Sequence, residues 1–209
     1  MPLQNRVLPD GEIVALAARG TFMGNRGGAI HNDRREIVRP YASRRWIACV
    51  LEFKGRRRVV MSPGRYTELF FLDEATALAA GHRPCAECRR ARFREFRQAR
   101  RCAAQIRPEE FLYADEMDEE LHRARIDRQR RKVTCQAALH ELPDGCFVEI
   151  GGAKYLVWGN ALALWSPEGY TEKHPRPEEL TVAVLTPEPI VRCLRHGYRP
   201  EVHQSIRLF

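Results

Sequence analysis

Residues 66–101 read YTELFFLDEATALAAGHRPCAECRRARFREFRQARR, and this run decides how the rest of the chain is understood. Tyr66 to Leu72 is aromatic and apolar and predicts a short strand. Asp73 can accept from the free N–H groups of a helix over Glu74 to Ala80, with Gly81 as its stop. Pro84, Cys85 and Cys88 follow, and a strongly basic helix opens at about Arg89. A Cys-x-x-Cys pair at the mouth of a helix lets two thiolates meet one ion. The helix start offers free N–H groups and the positive end of its dipole to hold their charge. The rival reading is a redox dithiol, which opens a helix in a thioredoxin-like alternation of strands and helices. No such alternation surrounds these cysteines.

The run from Phe71 through Ala75 to Gly81, then Arg83, Pro84, Cys85 and Cys88, resembles the zinc-binding domain of the Ada-type alkylation-response proteins of bacteria. The resemblance covers residues 66–92, with His82 where that family has an aromatic residue. It implies a small treble-clef-like module that holds Zn2+ and packs against DNA. That family has two further cysteines upstream, one of them a methyl acceptor, whereas here Cys49 is the one upstream cysteine. Methyl transfer is therefore not carried over. The expected metal ligands are Cys49, Cys85 and Cys88, with His31 as the fourth and His82 and Cys102 as weaker candidates. A longer pattern also resembles a bacterial family from which no activity carries over. It runs from Gly24-Asn-Arg-Gly-Gly28 through residues 66–71 to Gly197-Tyr-Arg-Pro200.

Composition narrows the partner. A net charge of +8 in 209 residues, with Arg well ahead of Lys, favours forked contacts to a polyanion. DNA is the expected partner, with RNA as the alternative. The opening MPLQNRVLPDGE has no apolar signal core, and no apolar run is long enough to cross a membrane. Together with seven scattered cysteines, these features point to a reducing cytoplasm and free thiols.

Several segments extend the basic footprint. Arg19 to Gly28 reads as a glycine-rich loop in which Arg26 and backbone N–H groups can approach phosphate, or as a plain turn. Residues 46–53 predict a strand, Gly55 a turn, and Arg56 to Met61 a return strand with Arg56, Arg57 and Arg58 near the tip. Beyond Cys88, Arg90, Arg94, Arg97 and Arg101 share one helical face. Phe93, Phe96 and Ala99 form the buried side. The competing expectation pairs those arginines with the acids of Glu116 to Glu120.

Pro108 is expected to start another helix, on which Asp118 and His122 are one turn apart. Such a pair suits acid–base chemistry or, more commonly, a surface ion pair. His31 beside Asn32 and Asp33 is the other catalytic candidate. After Thr134 the composition shifts to short strands with tight turns. Trp158, Trp165 and Tyr170 there could stack on bases, but are more often core.

The expected architecture is α+β. A zinc-containing, Arg-rich portion spans residues 1–134, and a small β-rich unit with a short terminal helix spans 135–209. The expected function is a zinc-containing DNA-binding protein concerned with DNA repair or processing. The alternatives are a metal- or histidine-dependent hydrolase acting on nucleic acid, and a nucleic-acid-binding module without chemistry. No P-loop, Ser-His-Asp signature or dinucleotide fingerprint is present.

Overall fold

The computed structural model describes residues 1–56, 59–107 and 109–208. The fold is α+β, with two mixed-composition layers of sheet joined through helices. The first sheet contains β1 (Gln4–Val7), β2 (Ile13–Ala15), β3 (Phe22–Arg26), β4 (Trp46–Cys49), β5 (Leu69–Phe71) and β6 (Arg83–Pro84). Their spatial order is β2-β1-β5-β3-β4-β6. The β1–β5 and β4–β6 pairs are parallel and the others antiparallel. The helices are α1 (Glu74–Ala79), α2 (Arg90–Ala103), α3 (Ala114–Arg125) and α4 (Glu188–Arg195). A second sheet runs from β7 (Cys135–Ala138) through β8 (Phe147–Ile150), β9 (Ala153–Trp158), β10 (Ala161–Ser166) and β11 (Gly169–Pro175) to β12 (Thr181–Val184). It is antiparallel throughout, in the order β11-β10-β9-β8-β12-β7.

Helix α1 lies between the two sheets, and every one of its residues is buried. Its alanines make this possible, because a side chain of one carbon lets backbone approach on all sides. Ala77 and Ala80 pack with Val7, Phe22 and Phe71 of the first sheet. Ala75 and Ala79 pack with Phe147, Leu156 and Tyr170 of the second. Leu78 joins Phe93, Phe96, Met117, Leu139 and Ile190 in a third cluster. The second sheet starts at Cys135, yet two of the three clusters include residues from both sides of that position.

The polar start of α1 ties distant chain together. Asp73 caps the helix by accepting from Thr76 N–H at 2.8 Å. Its second oxygen accepts from Tyr170 O–H at 2.6 Å and from His203 N–H at 2.9 Å. Glu74 is fully buried, and its carboxylate takes Arg89 at the N-cap of α2, Arg92 of α2 and the Glu201 N–H from the tail. Burying a carboxylate without such partners would be costly. Gly81 ends the turn at φ +88°, where a Cβ would stand 2.6 Å from Arg125 Cδ.

Two local expectations are corrected. Residues 22–26 form β3 rather than a glycine loop. Gly24 serves close strand packing: a Cβ there would lie 2.3 Å from the Ile47 carbonyl oxygen and 2.8 Å from the Phe71 ring. The strand from Trp46 stops at Cys49 rather than reaching Phe53, and the described residues between 50 and 68 contain turns and no strand; Arg57 and Arg58 of the expected return strand lie outside the described residues. Trp165 and Tyr170 face α1: the Trp165 indole donates to Thr76 Oγ1 at 3.2 Å, and Tyr170 is buried against Asp73. Trp158 and Trp165 pack on the same cluster, so these rings are core.

Candidate metal centre and basic helix

Strand pairing assembles the cysteines. β4 and β6 run parallel with Ala48 beside Pro84, so Cys49, the last residue of β4 and still paired with Met23, lies beside Cys85 just past the end of β6. The Cys85 N–H donates to the Ala48 carbonyl at 2.9 Å. A tight turn then brings Cys88 back to Cys85, and Arg89 N–H closes on the Cys85 carbonyl at 3.1 Å. The three sulfurs lie within 4.8 Å of one another. They are free thiols, not a disulfide. The group can hold a metal ion.

Backbone N–H groups point at the sulfurs. Glu87 N–H points at Cys85 Sγ at 3.4 Å, and backbone N–H groups of Cys88 and Val50 act on Cys85 and Cys88. Hydrogen bonds from Cys49 and Cys88 draw the Cys85 thiol well below its ordinary range. Hydrogen bonding to Cys85 and Cys88, then burial, pushes Cys49 far above its ordinary range. Cys88 is drawn down by Cys49 but ends raised, because Cys85 and burial outweigh that bond. All three become thiolates together only around a cation, which is the chemistry of a thiolate metal centre.

The expected fourth ligand is elsewhere. His31 does not join the three sulfurs. Its Nδ1 is 2.6 Å from Thr67 Oγ1 and its Nε2 is 3.2 Å from the Ser62 carbonyl. Thr67 Oγ1 already accepts from Ile30 N–H at 2.9 Å, so its own hydrogen is free to go to Nδ1. Nε2 must then carry the proton given to Ser62. This fixes one tautomer and makes His31 a latch for the loop before β5. With both nitrogens occupied and 6% of the residue exposed, it presents no base to a substrate. His82 is fully buried between the Trp46 and Phe71 rings, and Cys102 lies exposed on α2.

The Asp118–His122 pair is likewise not assembled. Both Asp118 oxygens are taken by Arg83, at 2.8 and 2.6 Å, in a buried bidentate ion pair. His122 packs edge-on against Tyr41 and lies 3.2 Å from Arg125 through Nδ1. Burial, then Arg125 and Arg44, lowers its pKa, so it is neutral at pH 7. The i,i+4 spacing put both residues on α3, but Arg83 competes for the carboxylate with a fork that an imidazole cannot match.

The arginines divide sharply. Arg26 is a core residue, 3% exposed, donating to the carbonyls of Gly11 and Pro40, with its guanidinium 4.0 Å from the Trp46 ring. Burial pulls it down to about 9. Its strand alternation, Phe22, Gly24 and Arg26 inward, accounts for this and removes it from any phosphate. Arg56 is at the surface, paired with Glu87 at 3.0 Å. Arg57 and Arg58 lie outside the described residues, as does Pro108; α3 begins at Ala114.

On α2, Phe93, Phe96 and Ala99 are buried as expected. Arg89 and Arg92 are held by Glu74 and Glu201, and Arg100 by Glu120. Glu119 and Asp115 instead take Arg44 and Arg45. Glu116 caps α3 by accepting from Tyr113 N–H. Arg90 and Arg94 are exposed and make no ion pair among the described residues. Arg97 rests on the rings of Phe93 and Phe111, and Arg101 donates to the carbonyls of Arg107 and Glu110. Arg94, Arg97 and Arg101 line an open groove of about 780 Å3 with Phe111, His196 and Tyr198.

Glu68 escaped the sequence reading. It is 3% exposed and borders a cavity beside the thiols. The period-two alternation of TELFFL places Glu68 and Phe70 on one side, and both line that cavity. A charged residue on an otherwise aromatic strand side was the available signal. Comparison of the chain with family models, curated proteins and solved structures gives no match.

Proposed function

We propose that this chain is a DNA-binding protein in which zinc, held by Cys49, Cys85 and Cys88, fixes the start of a helix that lies on phosphates. The donor set suits zinc, which takes thiolates at tetrahedral sites. It leaves one ligand position to another group. The metal would staple the end of β4 to the turn that opens α2, and so would set the direction of that helix. The run resembling Ada-type domains supports a role in DNA repair or processing.

The observation that carries the reading is the division among the arginines of α2. Those directed at the protein have buried or half-buried carboxylates waiting for them. Arg90 and Arg94, directed away, have none among the described residues. Uncompensated exposed charge costs self-repulsion in the free protein and is recovered on a polyanion. Arg97 and exposed Phe111 beside them add a stacked cation–aromatic pair, which suits a distorted or unpaired base. His31 has both ring nitrogens occupied and Asp118 is held by Arg83 away from His122, so binding rather than histidine hydrolysis is the favoured activity.

The test is fluorescence anisotropy with a labelled duplex over a range of salt. Each phosphate neutralised contributes about −0.9 to the slope of log K against log salt. Arg90→Ala with Arg94→Ala should flatten the slope by about 2 and leave the melting temperature unchanged. An unchanged slope would remove α2 from the interface.

A further inference from the structure

Three thiols supply three of the four donors of a tetrahedral zinc. Among the described residues no further histidine, cysteine or carboxylate joins the group. The same three cysteines form part of the wall of a cavity of about 400 Å3. Its floor and sides are largely apolar, with Met23, Ile47, Val50, Phe53 and Phe70. Glu68 enters it as a buried carboxylate. One oxygen accepts from Met61 N–H at 2.8 Å, and the other makes no hydrogen bond among the described residues. Among the described residues the basic one on this wall is Arg56, which is paired with Glu87.

We propose that the fourth metal position opens into this cavity and takes a small exogenous ligand. The ligand carries a sulfur or nitrogen donor on a short apolar body that is neutral or positively charged. The donor type follows from the metal, since a thiolate-rich zinc accepts soft donors. The charge follows from the walls. Three thiolates around a divalent ion leave a net negative centre, and Glu68 adds another negative charge in a site of low dielectric. A thiol ligand binds as its thiolate and gives its proton to solvent; a second negative charge on its body then meets repulsion, whereas an ammonium group finds the free oxygen of Glu68. The apolar lining fits a short hydrocarbon linker between donor and charge. The His31–Ser62 and Glu68–Met61 hydrogen bonds fix the described chain at Met61 and Ser62 beside the cavity. This inference rests on the three-cysteine metal reading and is independent of DNA binding.

The experiment uses the full chain loaded with cobalt(II), whose visible d–d bands report the fourth ligand. Cysteamine, 2-mercaptoethanol and mercaptoacetate are the probes. Cysteamine and 2-mercaptoethanol should shift the bands saturably, with cysteamine half-saturating at a concentration about tenfold below mercaptoacetate. Glu68→Gln keeps an acceptor for Met61 N–H and should abolish the preference for cysteamine while 2-mercaptoethanol binds as before. If that variant loses the cobalt spectrum, Met23→Trp provides the second test. It narrows the cavity from the strand beside Cys49 and should weaken 2-mercaptoethanol binding by about tenfold with the starting bands intact. Bands that no probe moves would show a fourth ligand from the chain and overturn the proposal, as would simple removal of cobalt by the thiols. Failure to bind cobalt would overturn the metal reading itself, leaving the salt-dependence test of α2 to stand alone.

Discussion

Replacing Asp118 separates a structural carboxylate from a catalytic one. Its bidentate bond to Arg83 is buried, with side-chain exposures of 2% and 5%. Arg83 also faces the Phe93 ring at 5.1 Å and lies two residues before Cys85. The pair therefore anchors α3 to the strand that delivers the cysteines. Asp118→Ala removes two charge-assisted hydrogen bonds, each about 1.5–3 kcal/mol. It also strands a guanidinium in the interior, and broken buried pairs typically cost about 3–5 kcal/mol. At about 2–4 °C per kcal/mol for a chain of this size, the melting temperature should fall by roughly 6–20 °C. Circular dichroism melts of the metal-loaded protein at pH 7 measure this. His122→Ala, at a half-buried edge contact, should cost about 1 kcal/mol or less. Arg83→Met with Asp118→Leu should recover most of the loss, because an apolar pair leaves no unpaired charge. A fall of under about 3 °C in Asp118→Ala would refute the reasoning and return Asp118 to the catalytic candidates.

Two further outcomes follow from the buried interior. Burial, then Arg26 and Arg125, holds the His82 pKa well below its ordinary value, so the folded protein keeps it neutral. The unfolded chain binds the extra proton below about pH 6.5, so stability falls as pH drops through that value; between pH 7 and 5 this group costs about 2 kcal/mol. Denaturant titrations should show that part of the acid sensitivity vanish in His82→Gln, which keeps an acceptor for Arg26, and an unaltered pH profile would count against it. Gly24→Ala should destabilise by about 1–3 kcal/mol or more through its clash with the Ile47 carbonyl, and a native melting curve would show that the strands separate easily.

The sequence carried the knuckle, the capped α1 and the buried side of α2, because each is a local pattern. Asp73, the alanines and Gly81 specify one helix within nine residues. The convergence of Cys49 on Cys85 was legible as chemistry but not as geometry, since a parallel pairing of β4 with β6 decides it. His31 looked free because a loop histidine shows nothing of the Thr67 hydroxyl that holds it 36 positions later in the chain. Asp118 and His122 failed for the same reason: the i,i+4 spacing is local, and the competitor Arg83 is distant. Arg26 was misplaced because four glycines between residues 19 and 28 suggested a loop, whereas Gly24 is the residue that lets β3 approach β4.

The metal content of the chain tests the central claim most directly. Protein purified without added metal and analysed by elemental mass spectrometry should carry about one zinc per chain. Each of Cys49→Ser, Cys85→Ser and Cys88→Ser should lose it, and a strong chelator should lower the melting temperature of the parent alone. His31→Ala should keep the metal. A parent protein that is folded and metal-free, or one whose zinc survives all three cysteine substitutions, would contradict the account.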